Sequence, residues 1–150
     1  MLVSRKNHEA YTLDAKFGSP SAPDGLREPL ESVRALFEHV VQESLADATK
    51  RGCLLVNTAV NLQSQTEEIK MLVTAALADF RQFFVRLIEH GKIRGEISNE
   101  VETEAAAAGL LGMFIGIRVM ARGAFQPETL ERMGGQALAM LPPPAAPTET

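Results

Sequence analysis

Apolar residues recur along most of the chain at spacings of three and four, which is the pattern of amphipathic helices. The third apolar segment begins with Ser64 and Glu67 at the spacing of a capping box, and Gly91 is a residue type that favours a helix end. No stretch alternates apolar and polar residues for long enough to predict a strand. The sequence therefore predicts an all-α fold, a bundle of five or six helices. The five clear helices are expected over residues 29–48, 52–63, 64–91, 102–122 and 127–141.

The two ends of the chain differ from this helical centre. Residues 1–27 are polar and contain a stretch rich in Gly, Pro and Ser at 18–25, which is typical of a linker. A weak apolar pattern over 7–17 leaves room for one short helix. Residues 142–150 are rich in Pro and are expected to form a disordered tail. The sequence thus predicts a single domain, residues 28–141.

Composition narrows the class of protein. Hydrophobic residues make up 45% and charged residues 23%, as expected of a folded soluble domain. A net charge of −4 disfavours direct nucleic-acid binding, which usually needs a basic excess, and one cysteine excludes an internal disulfide. The longest uncharged apolar run, residues 105–117, is shorter than the roughly 18 residues of a membrane span. Since the N-terminus also lacks the apolar core of a signal peptide, we expect a cytoplasmic protein with no membrane partner.

The chain contains no familiar catalytic signature. It has no G-x-S-x-G, no G-x-x-x-x-G-K, no H-E-x-x-H and no C-x-x-C. His8, His39 and His90 are spaced so that no two share a helical face, which removes the usual histidine pair of a metal site. We therefore expect neither an enzyme nor a cofactor nor a metal site. An enzyme of a kind that these motifs do not describe stays open as an alternative.

Three glycines interrupt the interior of the fourth helix, where each costs about 1 kcal/mol relative to alanine. They permit close approach of another helix, either from a second copy of the chain or from the same chain. The fourth and fifth helices also carry more apolar surface than one small bundle buries, and a two-fold homodimer with four helices at its seam would cover it. The alternative is that the fourth helix is simply the central core helix. Residues expected at the dimer seam are Gly109, Gly112, Gly116, Arg118, Leu130, Met133, Ala137 and Met140.

Arg118 has three open roles. It can pair with a carboxylate across an interface, bind an anionic ligand, or lie at a rim with its stem over apolar surface. Cys53 follows two basic residues at a predicted helix start, which suits either a reactive thiol or, as for most cysteines, a buried structural position.

Phenylalanine and methionine side chains are concentrated in the first, third and fourth helices. They fit either a cavity for an apolar or aromatic ligand or an ordinary filled core. Polar residues of the second helix, if buried, need hydrogen-bond partners, which a ligand or neighbouring backbone carbonyls can provide. The residues expected to line a ligand pocket are Phe37, Val41, Leu54, Asn57, Thr58, Asn61, Phe80, Phe84, Met113 and Phe114.

Three blocks of the sequence together resemble a known family. They are RGCLLVNTAVNL at 51–62, IEHGKIRGEI at 88–97 and LLGMFIGIRVMARG at 110–123. In order and spacing they are similar to the C-terminal half of TetR/AcrR-type transcriptional regulators, over about residues 29–141. The resemblance implies that the last two long helices form a dimer as a four-helix bundle. It also implies that a small ligand among the helices changes the spacing of two DNA-binding heads.

The DNA-binding unit of such regulators is an N-terminal helix-turn-helix domain, for which residues 1–27 are too few. We therefore expect operator DNA to be contacted only through an N-terminal domain absent from this chain. The predicted function is that of an effector-sensing and dimerisation domain, whose partners are a second copy and a small apolar or aromatic effector. The alternative is a freestanding interaction module that forms mixed dimers with related regulators and binds no DNA.

Overall fold

The computed structural model describes residues 28–123 and 125–146. The expectations for residues 1–27, and for residues 147–150 of the tail, lie outside the described residues. Within the described ranges the chain is helical and has no strand, which confirms the all-α prediction. The elements are α1 (Pro29–Ala46), α2 (Leu54–Val60), a short 3-10 turn (Leu62–Ser64), α3 (Glu67–Ile93), α4 (Thr103–Met120) and α5 (Pro127–Ala139).

The start of α3 differs from the sequence prediction. Thr66 is the N-cap, and its side-chain oxygen accepts a hydrogen bond from the backbone N–H of Ile69 at 3.4 Å. Ser64 belongs to the 3-10 turn, and its hydroxyl donates to the carbonyl of Asn61 at 2.8 Å. The predicted capping box of Ser64 and Glu67 is therefore wrong, because the Ser64 hydroxyl is already used in the preceding turn.

The end of α3 also lies beyond the predicted residue. Gly91 is a buried helical residue, and a Cβ atom at this position would collide with the side chain of Ile97. The helix runs on to Ile93, and the left-handed conformation that follows it belongs to Gly95, with φ of 73°. Gly91 is thus needed for the close approach of Ile97, and its prediction as the helix end is wrong.

Helix α1 packs against α3, α4 and α5, while α2 packs on α3 and α4. At one end of the bundle, Arg94 pairs with Glu28 and Glu96, and the backbone N–H of Ser98 donates to the carbonyl of Pro142. At the other end, which we call the α2 end, the last turns of α1 and α4 lie beside the loop that leads to α2. The largest fully buried side chains are Phe37, Phe84, Leu36, Ile88, Ile97, Leu110, Ile117, Leu130, Leu141, Val33, Val40 and Val56.

Helix α4 is unusually apolar for its place in the bundle. Its 18 residues have a mean hydropathy of 1.4, which by length and composition alone is enough to cross a membrane. The helix contacts four other helices of the chain. Only 28% of the stretch is buried, however, so much of its apolar surface is left uncovered by the chain itself.

Candidate effector and dimerisation sites

The phenylalanines predicted to line a pocket come together in one aromatic cluster between α1, α3 and α4. The ring centroid of Phe80 lies 4.5 Å from that of Phe114 and 5.3 Å from that of Phe84, both in edge-to-face contact. Phe37 stacks on Phe84 at 6.1 Å, and Phe83 joins the group. All five side chains are buried, and such ring geometry adds to the stability that burial provides. The cluster is therefore a packed part of the core in this structure.

The remaining predicted pocket residues are divided between the core and the surface. Val41 is buried and Met113 is half-buried against the core. On α2, the Thr58 hydroxyl donates to the carbonyl of Leu54 at 2.8 Å, and the Asn61 amide donates to the carbonyl of Asn57 at 3.1 Å. The sequence left open whether a ligand or neighbouring backbone carbonyls bond these polar groups, and in the structure the partners are backbone carbonyls. Leu54 is 81% exposed and does not join the aromatic cluster.

Two of the three α4 glycines make room for methionines of α5 in the same chain. A Cβ atom at Gly109 would collide with the terminal methyl of Met140, and one at Gly116 would lie 3.4 Å from that of Met133. Gly112 differs, because it is exposed and no heavy atom lies within 4 Å of the position that its Cβ would take. Met133 and Met140 are both partly exposed.

The other residues predicted at the dimer seam point into the chain. Leu130 and Ala137 are buried within the protomer, and Arg118 turns towards α1. What α4 presents to solvent is a row of apolar residues at spacings of three and four, which places them on one helical face. We call this row the α4 stripe. Its members are Ala105, Ala108, Gly112 and Val119, which are exposed, and Ile115, which is half-buried.

A polar cavity of about 360 Å³ lies at the α2 end, between the last turn of α1, the loop that follows it and the last turn of α4. A smaller cavity of about 230 Å³ lies between α1 and α5, and its lining includes Phe37 and Val41 of the predicted pocket. Sequence reasoning missed the polar cavity, although an arginine inside an apolar helix was a signal. The residues that line it are Glu43, Ser44, Ala46, Asp47, Gly52, Arg118, Ala121 and Arg122.

Arg118 connects the polar cavity to the aromatic cluster. Its Nη2 donates to Oε2 of Glu43 at 2.7 Å, and its Nη1 donates to the hydroxyl of buried Ser44 at 3.4 Å. The guanidinium carbon lies 5.6 Å from the ring centroid of Phe114. The side chain is only 16% exposed, and its buried Nε has no hydrogen-bond partner within the part of the chain that the structure describes. Arg118 thus has one N–H donor, at Nε, that makes no hydrogen bond within the described residues.

Asp47 fixes the loop at the floor of the cavity. Its carboxylate accepts hydrogen bonds from the Thr49 hydroxyl at 2.6 Å, the Thr49 backbone at 3.1 Å and the backbone N–H of Gly52 at 2.9 Å. The hydrogen bond from the Thr49 side chain, followed by that from Gly52, lowers the pKa of Asp47 to about 2. The carboxylate is therefore ionised at neutral pH, and its oxygens are engaged with the loop.

Arg122 joins the end of α4 to the loop and to α2. Its Nε donates to the carbonyl of Lys50 at 3.3 Å, and its Nη1 donates to Oδ1 of Asn57 at 2.7 Å. The Asn57 amide in turn donates to the carbonyl of Arg51 at 2.7 Å. The arginine crosses directly over Gly52, where a Cβ atom would lie 2.6 Å from its Cδ. Gly52 is therefore required both for this crossing and for its own φ of 69°.

Replacing Gly52 by alanine tests this contact. A left-handed alanine costs about 1–2 kcal/mol, and displacing Arg122 should raise the loss in the free energy of unfolding to about 2–3 kcal/mol. Gly95→Ala is the matched control, because Gly95 has a φ of 73° with nothing within 4 Å of its Cβ position, and should lose only the backbone contribution. Urea unfolding measures both. Equal losses in the two variants would contradict the crossing of Arg122 over Gly52.

Comparison with known proteins agrees with this architecture. The family model described as the tetracyclin repressor-like C-terminal domain matches residues 29–135, which include α1 to α4 and most of α5. No curated protein and no solved structure matches the chain. Regulators of this family are soluble and typically form dimers that bind small effectors. Since the matched residues make up well over half of the sequence, the chain belongs to the family of tetracyclin repressor-like C-terminal domains.

Proposed function

We propose that this chain is the effector-sensing and dimerisation domain of a TetR-like transcriptional regulator in the cytoplasm, acting by binding and not by catalysis. The observation that carries the proposal is the uncovered α4 stripe in a chain of this family. In this proposal the bundle itself does not contact operator DNA. That contact belongs to an N-terminal helix-turn-helix domain.

The α4 stripe suits a two-fold interface with a second copy. Its exposed alanines and glycine let two helix backbones approach closely, and Met133 and Met140 lie beside it as adaptable apolar contacts. The charges that flank the stripe are engaged within the chain. Glu104 pairs with Arg81, and Arg118 pairs with Glu43. Formation of the interface would therefore bury apolar surface without leaving a buried charge unpaired.

The proposed effector is a small apolar or aromatic molecule that binds at the aromatic cluster. Because Phe37, Phe80, Phe84 and Phe114 already contact one another, the rings would have to move apart to admit it. Binding can shift the arrangement of the dimer only if the effector favours one arrangement over the other. The cluster is well placed for this, because α4 contributes Phe114 to it and also carries the stripe on its outer face.

Cross-linking tests the proposed interface. In a Cys53→Ser background, Gly112→Cys should be converted largely to covalent dimers by a short bis-maleimide reagent, because the two-fold axis would bring the two copies of position 112 together. Ala78→Cys, at an exposed position on α3, is the control and should give few covalent dimers. Similar yields from the two variants would contradict an interface at the α4 stripe.

The alternative function, mixed dimers with related regulators, would use the same surface. Mixing the chain with a full-length family member and measuring exchange of subunits would distinguish it from a homodimeric sensor. A mixed dimer much tighter than the homodimer, in a chain that binds no small molecule, would favour the interaction module.

A further inference from the structure

We propose that the effector is a small carboxylic acid with an apolar body, whose carboxylate binds Arg118 in the polar cavity and whose body contacts the aromatic cluster. This inference rests on the proposed function, since it names the chemical class of the effector. It differs from an apolar ligand in the cluster alone by requiring a negative charge at one end of the molecule.

The cavity has the size and position of a small-molecule site. Its volume of about 360 Å³ falls in the range of about 300–1,000 Å³ that is common for ligand pockets. It opens between α1, α4 and the loop leading to α2, so a molecule bound there would touch three segments at once. Ala46 and Ala121 contribute small apolar side chains to its walls.

Arg118 provides the recognition of a carboxylate. A guanidinium binds a carboxylate best through two parallel N–H donors, and Nε with one Nη nitrogen forms such a pair. The Nη2 of Arg118 already holds a carboxylate, that of Glu43, whereas the buried Nε has no partner within residues 28–123 and 125–146. Because Nε is enclosed in this arrangement, the Arg118 side chain would have to turn towards the cavity before a ligand carboxylate could accept from both nitrogens. The pairing would then satisfy the Nε group, which is costly to leave unpaired.

The two acidic residues of the cavity do not prevent this binding. Asp47 is engaged with Thr49 and Gly52. Glu43 is about half exposed, and its other oxygen lies 2.9 Å from Nε2 of His39. Glu43 can therefore release Arg118 and keep a partner. The exchange replaces one carboxylate by another on the same guanidinium, while the displaced Glu43 carboxylate stays next to His39 and competes with the ligand.

The apolar body of the ligand follows from what lies next to Arg118. The Phe114 ring is 5.6 Å from the guanidinium carbon, and its other neighbour in the cluster is Phe80 at 4.5 Å. No phenylalanine of the described residues lines the cavity itself, so a ring or short alkyl chain attached to the carboxylate would contact the Phe114 ring only after the Arg118 side chain moved away from that ring. Acids of the size of phenylacetate or hexanoate match this arrangement, whereas acetate lacks the apolar part.

Calorimetric titration of the full chain tests the proposal with benzoate, phenylacetate and hexanoate, each beside its neutral amide. At least one acid should bind about tenfold or more tightly than its amide. Arg118→Gln should weaken that binding by about tenfold or more, whereas Arg81→Gln, which breaks an ion pair on the surface between α3 and α4, should not. Glu43→Gln should strengthen it severalfold, because the competing carboxylate is removed.

Three results would overturn the proposal: no acid binds, acid and amide bind equally, or Arg118→Gln binds the acid as the wild type does while its thermal unfolding shows that it is folded. If Arg118→Gln fails to fold, the Glu43→Gln variant decides the test, because the proposal expects it to bind the acid more tightly than the wild type does. Covalent dimers at position 112 without acid binding would overturn this inference alone. Acid binding by a chain that stays monomeric would overturn the proposed dimer alone.

Discussion

Gly112→Glu is expected to turn the proposed dimer into a monomer, raising its dissociation constant at least about 100-fold. The substitution places a charged side chain where the α4 stripes of two copies would meet, and an uncompensated buried charge costs about 3–5 kcal/mol. A 100-fold change corresponds to about 2.7 kcal/mol, slightly less than the lower end of this range, so 100-fold is the minimum effect expected. The chain should remain folded, because position 112 is open to solvent within the protomer and glutamate favours a helix more than glycine does.

Ala78→Glu is the control for this substitution. It adds the same side chain at an exposed position of α3, outside the α4 stripe, and should leave the dissociation constant unchanged. Sedimentation velocity over a dilution series measures both variants. A Gly112→Glu chain that associates as tightly as Ala78→Glu would exclude the stripe as the interface.

Phe84→Ala is expected to lower the free energy of unfolding by about 3–5 kcal/mol, the cost typical of removing a buried phenylalanine. The side chain is fully buried and contacts three other rings, those of Phe37, Phe80 and Phe83. Its removal deletes apolar contacts and leaves a cavity that the rest of the cluster fills only in part. Urea unfolding monitored by circular dichroism gives the difference.

Ile93→Ala is the matched control on the same helix. Ile93 is 84% exposed at the last residue of α3, so its truncation should cost less than about 0.5 kcal/mol. A loss below about 1 kcal/mol for Phe84→Ala would show that the aromatic cluster is loosely packed. A loosely packed cluster would favour the interpretation that the rings already leave room for an effector.

The helices could be predicted from the sequence because their signals are local. Apolar spacing marks each core-facing side, and Pro29 and Pro127 stand at the first turns of α1 and α5. The exact ends of α3 were harder, since several residues of suitable type compete. Thr66 caps the helix instead of Ser64, and only the contact with Ile97 explains why a glycine occupies position 91 inside the helix.

The candidate sites were predictable only in part. Residue type was enough to assemble the aromatic cluster, because large apolar side chains on three amphipathic helices must meet in one core. Only Arg118, an arginine inside an apolar helix, pointed to the polar cavity, since Glu43 comes from a helix far away in the chain and nothing local marks the two as neighbours. The α4 glycines show a third case. Their type demands close approach, yet only the structure distinguishes Gly109 and Gly116, which face α5, from Gly112, which faces solvent.

Sedimentation equilibrium of the unmodified chain at micromolar concentrations measures whether two copies pair, as the interface at α4 requires. We predict a mass twice the 16.3 kDa of a single chain, falling towards that of the monomer only on dilution. A mass of one chain at every concentration would rule out pairing through α4.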